Sequence, residues 1–351
     1  MIKFSDKTLT SAQELYQANL INQEQVNEIK EISDHYSIAL TSVIANLIDL
    51  NNPDDPIARQ FIPQKEELNI LPEELEDPIG DNVHNPVKGI VHRYPDRVLL
   101  KLLHVCPVYC RFCFRREMIG SKKGNVLSSN DIDNAIQYIK EHSKIWEVIF
   151  TGGDPLILSH NRLQKVLKKL RDIKHIKILR FHSRVPIVDP KRINNYLIKC
   201  LKESRKTIYI AIHANHPHEF SQESIDAINK LSDAGIILLS QSVLLKGIND
   251  DPEILANLMR TFVELRIKPY YLHHPDLAPG TSHFRLTIEE GQKIVANLKE
   301  KISGLCQPFY ILDIPGGYGK VKIDSHNIRK IEDGSYYITD HNNIVHHYKS
   351  K

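Results

Sequence analysis

No apolar run in this sequence approaches the roughly 18 residues that a membrane-spanning helix needs. The most apolar window, Ile236 to Leu245, is broken by Ser240, Gln241 and Ser242. The opening residues, MIKFSDKTLTSAQELY, carry no apolar core of signal-peptide length, so a cytoplasmic protein with no membrane partner is expected. A surplus of one charge is missing as well: 46 basic residues stand against 43 acidic ones, a formal net charge of +3. Binding DNA or RNA calls for a concentrated basic face, so no nucleic-acid partner is expected. The short basic run Lys165 to Arg171 shares an expected helix with Val166 and Leu170 and reads as a solvated face. Tandem repeats and low-complexity tracts are absent. Cysteine is sparse and odd in number, five in all, and three of the five fall within eight residues. A reducing compartment argues against a disulfide framework, and thiols clustered in that setting read as metal ligands.

What is present is ordinary in bulk and informative in order. With 351 residues, 41% of them hydrophobic and 25% charged, the chain has the make-up of one or two globular domains. Residues 1 to about 50 show helical periodicity, first in Leu20, Val26, Ile29 and Ile32, then in Ile38, Leu40, Val43, Ile44 and Leu47. A proline- and acid-rich connector, Asn51 to Asp81, follows. It keeps Ile57, Phe61, Ile62 and Leu68 as apolar anchors and reads as an ordered wrap around a larger body. From about residue 97, short apolar runs recur at Val98–Leu103, Trp146–Phe150, Ile176–Phe181, Thr207–Ile212, Ile236–Ser240 and Lys268–Leu272. Amphipathic segments near 131–142, 161–171, 190–202, 222–233, 252–264 and 287–299 separate them. Six such β/α units predict parallel strands in a closed or partial barrel, with function at the strands' C-terminal ends. The expected division is 1–86 for the helical region and connector, 87–305 for the barrel, and 306–351 for a short C-terminal segment.

Every chemically suggestive residue follows an expected strand. Cys106 comes after the first, Gly152–Gly153–Asp154 after the second and Ser183–Arg184 after the third. His213 and Asn215 follow the fourth, Gln241 the fifth and Asp276 the sixth. The segment HVCPVYCRFCFRR places Cys106, Cys110 and Cys113 with three and two residues between them. Three thiolates on one tight loop can hold three irons of a [4Fe–4S] cubane and leave the fourth open to an exogenous ligand. A structural zinc with His92 or His104 as fourth ligand is the alternative, but zinc motifs usually come as two Cys or His pairs, and no second pair is present.

CxxxCxxC with Phe112 before its last cysteine resembles the signature of the radical S-adenosylmethionine superfamily. FTGGDPL at 150–156 resembles that superfamily's Gly-Gly-acid-Pro turn, whose backbone meets the methionine ammonium. Over residues 50 to 325 the resemblance sharpens to the lysine 2,3-aminomutase family. It is carried by DPIARQF, GIVHRYPDRVLLKLLHVCPVYCRFCFRR, FHSRVPIVDPKRI, HANHP, LSQSVLLKGIND, HPDLAPGTSHFR and ILDIPGGYGK. The resemblance implies a partial (β/α)6 TIM-like barrel of the α/β class that uses a [4Fe–4S] cluster, S-adenosylmethionine and pyridoxal 5′-phosphate. It also implies the reaction: L-lysine becomes β-lysine (3,6-diaminohexanoate) by 1,2-amino migration, set off by a 5′-deoxyadenosyl radical. An electron donor such as a flavodoxin or ferredoxin would be needed, and assembly into a homo-oligomer stays open.

Residue by residue, the resemblance makes Lys320 the Schiff-base lysine and gives Arg93, Tyr94 and Arg97 the cofactor phosphate, which paired guanidiniums suit. ILDIPGGYGK is no phosphate-binding P-loop: the first glycine of GxxxxGK falls on Ile314, and Val321 replaces the Ser or Thr. A solvated lysine on a glycine-rich turn is what the motif would mean standing alone. Arg115 matches the arginine that clamps the substrate carboxylate, and Asp276 and Asp313 match the pair that receives the ε-ammonium of lysine. Two carboxylates facing one pocket repel, and a bound ammonium relieves them, which argues against a substrate ending in a carboxylate. Gly152, Gly153, Asp154, Ser183, His213, Asn215 and Gln241 resemble positions that contact S-adenosylmethionine; His213 taken alone reads as a packed histidine. Cys200 and Cys306 read as core thiols. Longer members carry additional cysteines beyond the point where this chain ends, 31 residues after Lys320, and some have a cysteine where Asp251 stands. The short tail matches the subgroup that supplies β-lysine for modifying elongation factor P, although that subgroup usually lacks the aspartate matching Asp313. Arginine is a further cationic candidate substrate. A non-catalytic iron–sulfur or zinc protein is the rival from another class, and it has no use for Lys320, Asp276 or the glycine pair.

Overall fold

Apolar runs of five to seven residues, each set off by an amphipathic helix, cannot bury both faces alone; they do so by lining up side by side. The computed structural model describes residues 7–120, 126–324, 328–331, 336–339 and 345–348. Its main sheet opens with an antiparallel pair, β1 (Ile90–Tyr94) and β2 (Arg97–Leu103). Parallel to β2 run β3 (Glu147–Gly152), β4 (Ile178–Ser183), β5 (Thr207–His213), β6 (Ile237–Val243), β7 (Ile267–His273) and β8 (Phe309–Ile314). β9 (Gly319–Lys322) turns back antiparallel to β8. Spatial order equals chain order throughout, as in a barrel sector. The six expected strands are all present, shifted by a residue or two. The seventh parallel strand, β8, lies in what the sequence suggested was a C-terminal segment. Parts of 306–351 fall outside the described residues; within it, Ile328–Lys330, Tyr336–Thr339 and Val345–Tyr348 form a separate three-stranded antiparallel sheet.

In the N-terminal region, α1 (Ala12–Gln17) and α2 (Gln25–His35) precede the connector. The six helices after the strands are α3 (Ser129–Glu141), α4 (His160–Arg171), α5 (Asn195–Glu203), α6 (Gln222–Asp233), α7 (Pro252–Glu264) and α8 (Ile288–Lys301). Side-chain oxygens of Ser128, Asn194, Ser221, Asp251 and Thr287 accept the first free backbone N–H groups of their helices. Asp251 thus has a local structural use, bonding the amides of Glu253 and Ile254. The expected helix 190–202 begins later than its periodicity suggested, because Asn194 is extended and caps α5 behind a single 3₁₀ turn. Ile38 and Leu40 are not helical either: Leu40 pairs with Leu9 in a β-bridge, and only Ser42–Ala45 makes a helical turn. No helix among the described residues is long and apolar enough to cross a membrane.

The two faces of the sheet differ in kind. Leu100, Phe150, Phe181, Ile210 and Leu238 align across β2 to β6 and are buried against the helices, with the Phe150 and Phe181 rings stacked 4.4 Å apart. The opposite face carries Lys101, Thr151, His182, His213, Gln241, Tyr271 and Asp313, a row of polar side chains inside the barrel. Burying such groups costs free energy unless each finds a partner, so this row marks the chamber where chemistry is to be sought. Cys200 and Cys306 sit buried in the apolar core, as expected.

The connector is ordered and anchored: Ile57, Phe61 and Ile62 are buried, and Leu68 is half-buried. Its strongest tie is Glu67, fully enclosed, whose carboxylate takes Arg111 Nε at 2.9 Å and Arg111 Nη2 at 2.5 Å and also bonds Arg116. Although burial alone would push its pKa up, the two guanidiniums hold Glu67 below the usual carboxylate range. Both arginines flank the cysteine loop, so one carboxylate seats that loop against the wrap. Removing one partner from a buried ion cluster strands the others. Glu67→Gln should therefore cost about 3–5 kcal/mol, read as a clear fall in Tm with easier proteolysis near residues 106–116. An unchanged melt would mean that the clamp does not hold the loop.

Candidate active site

The three cysteines lie on the loop that leaves β2, all half-buried and all free thiols. Burial raises their pKa values: Cys113 is pushed up to about 11, with Cys110 adding to the effect. Cys106 is also raised, first by burial and then by Asp154. Cys110 rises less steeply because the Arg184 guanidinium lies against it, Nη1 to Sγ 3.1 Å. A metal would be needed to hold such thiols as thiolates. Three free thiols on one loop, each able to take an iron of its own, are a donor set that fits a cubane cluster.

The glycine turn packs on the same loop. Gly153 N–H donates to Leu103 O at 2.7 Å and Asp154 N–H to Val105 O at 3.0 Å. A Cβ on Gly153 would stand 2.2 Å from the Val105 carbonyl oxygen, and Gly152 sits at φ +103°, so neither position admits a side chain. Asp154 spends its carboxylate on protein: Ser183 Oγ at 2.8 Å, Arg184 N at 2.7 Å and Leu156 N at 3.0 Å. Burial pushes its pKa up to about 6 against those bonds. Ser183 is likewise committed, and Asn215 bonds Gln60 Oε1 through Nδ2 and Val243 N through Oδ1. Asp154 and Ser183 therefore brace one another at the strand ends, and Asn215 braces the connector through Gln60 and β6 through Val243. His213 and Gln241 face each other on adjacent strands of the inner row. Burial, then Arg184, lowers the His213 pKa to about 3, and its Nε2 has no partner among the described residues, as an atom awaiting a ligand would.

At the other end of the row stands the β8–β9 hairpin. Register sets Asp313 opposite Lys320, and Lys320 Nζ lies 2.6 and 2.5 Å from the two Asp313 oxygens. The tight turn takes Gly316, Gly317 and Gly319 at positive φ. A Cβ at Gly319 would come within 2.7 Å of the Tyr94 hydroxyl, which accepts the Lys320 N–H at 3.0 Å. Arg97 stacks over the Tyr94 ring at 3.9 Å, and Arg93 Nη1 lies 3.9 Å from Asp313. Arg93, Tyr94, Arg97 and Lys320 thus gather as the sequence suggested. The unpartnered Arg93 Nε beside a lysine fits a phosphate-bearing aldehyde cofactor. Burial alone would raise Asp313, but His273 and the Lys320 ammonium hold it far below the usual range. Asp276 shows the opposite: burial first, then Asp313, raises it to about 7, and its Oδ1 has no partner among the described residues.

Several groups in the chamber escaped the sequence reading. Asp81, delivered by the connector, accepts Arg115 Nε at 3.1 Å and Nη2 at 2.9 Å, with Lys101 Nζ at 3.4 Å and Arg93 Nη2 at 3.7 Å. Arg115 also donates to Thr151 Oγ1 at 3.3 Å. Glu219 likewise holds Arg184, the residue expected beside Ser183, which also donates to Gln60 at 2.9 Å. A lysine at 101 inside an otherwise apolar strand was a visible signal. Asp81 and Glu219 gave none, since their partners lie far along the chain.

Residues 100–259 match the Radical SAM superfamily. The L-lysine 2,3-aminomutase of Acetoanaerobium sticklandii is 38% identical over 315 residues, covering 90% of this chain and 76% of that protein. That of Methanococcus maripaludis is 41% identical over 303 residues, 86% of this chain and 70% of the relative. The glutamate 2,3-aminomutase of Clostridioides difficile is 35% identical over 315 residues, 90% and 74% of the two chains.

A carboxyl whose pKa is raised on folding favours the folded state only while protonated, and that contribution is lost as pH climbs through the folded value. For Asp276 the loss runs from about pH 4 to about pH 7. Asp276→Asn cannot ionise, so the unliganded variant should gain Tm on wild type between about pH 5 and about pH 8. A wild-type-to-variant difference in Tm that stays constant with pH would contradict the assignment.

Proposed function

The chain belongs to the lysine 2,3-aminomutase family of the radical SAM superfamily, and on that premise we propose that it moves the α-amino group of L-lysine to the β-carbon, giving β-lysine. The observation that carries this reading is the carboxylate pair Asp276 and Asp313 in a chamber that also holds Lys101 and Arg115 on Asp81, with Arg93 reaching both Asp81 and Asp313 between them. Such a chamber suits an α-amino acid with a carboxylate at one end and a cation at the other. Glutamate would bring a third carboxylate against Asp276, which burial, and after it the charge of Asp313, already raise to about 7.

When bound, S-adenosylmethionine on a reduced [4Fe–4S] cluster supplies a radical able to take a hydrogen atom, and pyridoxal phosphate supplies an imine-forming aldehyde and a π-system. Cys106, Cys110 and Cys113 would hold the cluster, with Arg184 against the Cys110 sulfur. Gly152, Gly153, His213 and Gln241 line the S-adenosylmethionine end, and Asp154, Ser183 and Asn215 hold that rim in place. Lys320 would carry the pyridine cofactor, with Arg93, Tyr94 and Arg97 about its phosphate.

Before substrate arrives, the Lys320 ammonium occupies Asp313. An arriving ε-ammonium can take over that carboxylate, so the swap of one cation for another leaves Asp313 paired and frees the Lys320 amine. Asp276, unpartnered at Oδ1, takes the second share of the ammonium and ionises as it does so. Arg115 orients the α-carboxylate, which fixes the β-carbon in the chamber. The wrap and the β8–β9 hairpin exclude water from these charges. Electrons would come from an external low-potential donor such as a flavodoxin or ferredoxin.

The test is a substrate panel. Protein prepared without oxygen, loaded with iron, sulfide, S-adenosylmethionine and pyridoxal phosphate, and reduced with dithionite is offered L-lysine, L-arginine or L-glutamate. β-Lysine should form from lysine, and Lys320→Ala or Cys110→Ala should abolish it. Asp313→Asn should cut kcat/KM at least about 100-fold, the loss of a buried charged partner. Rearranged glutamate without rearranged lysine would overturn the substrate assignment.

A further inference from the structure

We propose that Lys101 is a second cation of the subsite for the substrate's carboxylate, acting beside Arg115 to make the chamber select α-amino acids by that group. The inference rests on the reading of Arg115 given above. Lys101 lies midway along β2, where its neighbours Leu100 and Leu102 are buried apolar residues, and its own side chain is 5% exposed. A lysine is almost never enclosed to this degree unless it is paired. Its pairing here is thin: three N–H donors, and among the described residues one acceptor, Asp81 Oδ2, at 3.4 Å. That acceptor is already shared, because Arg115 meets the same oxygen through two nitrogens at 3.1 and 2.9 Å.

The charge count points the same way. Lys101 and Arg115 share the single carboxylate Asp81, while Arg93, 3.7 Å from Asp81, also lies 3.9 Å from Asp313, so Asp81 alone leaves these cations in excess. An enclosed surplus of positive charge favours an anionic ligand. Register supplies the place: Lys101 pairs with Thr151 across β2 and β3, and the Thr151 hydroxyl accepts from Arg115 Nη1 at 3.3 Å. Asp81 and Thr151 use three of the five Arg115 N–H groups, which leaves one on each terminal nitrogen for an incoming carboxylate. The Lys101 ammonium, on Asp81 beside that edge, has N–H groups left to complete the carboxylate's shell. Asp81 is then a positioning residue that holds both cations in place without neutralising them.

The test compares an amino acid with its amide. Calorimetry on the loaded, anaerobic protein gives Kd for L-lysine and L-lysinamide, which differ only in the carboxylate. Lys101→Met should weaken lysine about 10- to 100-fold, as loss of a charge-assisted bond does, and lysinamide by less than about threefold. Lys101→Gln, which keeps a donor for Asp81 without the charge, should show the same selective loss and decides the matter if the methionine variant does not fold. Equal losses for the two ligands, or no loss in either variant, would overturn the proposal. If wild type takes another α-amino acid instead, lysine fails as the substrate, and the ratio is read on that acid and its amide. A wild type that fails to distinguish acid from amide would also overturn the Lys101 assignment.

Discussion

One buried carboxylate, Asp81, joins the parts of this molecule that otherwise meet only at their edges. It arrives on the connector and reaches Arg93 on β1, Lys101 on β2 and Arg115 beyond the cysteine loop. Burial would push its pKa up, yet the three cations keep it below the ordinary carboxylate range, so its charge persists. The segment that carries it is fixed closely. A Cβ at Gly80 would collide with the Gly316–Gly317 backbone, and His84 Nε2 lies 3.0 Å from the Gly317 carbonyl oxygen. The wrap, the barrel and the hairpin that bears Lys320 are therefore tied together at one charged centre.

The same centre divides the chamber by charge. Lys101 and Arg115 crowd one side, Asp276 and Asp313 face the other, and Arg93 lies between, 3.7 Å from Asp81 and 3.9 Å from Asp313. His182 and His213, half-buried, and His273, buried, are all lowered in pKa by desolvation and add no charge of their own near neutral pH. A ligand that carries separated opposite charges satisfies both sides at once. In the proposed reaction the protein would hold the two ends of the amino acid and leave the carbon between them open to the cluster end.

Much of this was legible in the chain. Apolar runs at helical and strand spacing gave the six β/α units, and the cysteine, glycine and Lys320 motifs placed both ends of the chamber. The roles were harder to read. Asp154, Ser183 and Asn215 lie at strand ends, but a sequence cannot say which protein groups their oxygens meet; here Asp154 takes the Ser183 hydroxyl and the Arg184 amide, and Asn215 the Val243 amide. Glu67, Asp81 and Glu219 went unread because each draws its meaning from a partner 20 to 44 residues away. β8 was missed as a barrel strand for a related reason: its parallel partner β7 lies across a whole helix, and only its hairpin with β9 is local.

The account's central claim is that both ends face one chamber, so that a radical formed at the cluster end reaches the β-carbon of a lysine held by the charges at the other. The most direct measurement offers L-lysine deuterated at the β-carbon to the loaded, reduced protein and follows the label by mass spectrometry. The account predicts deuterium in 5′-deoxyadenosine and in the β-lysine released. Cleavage of S-adenosylmethionine in the presence of lysine, with no deuterium in 5′-deoxyadenosine, would contradict it.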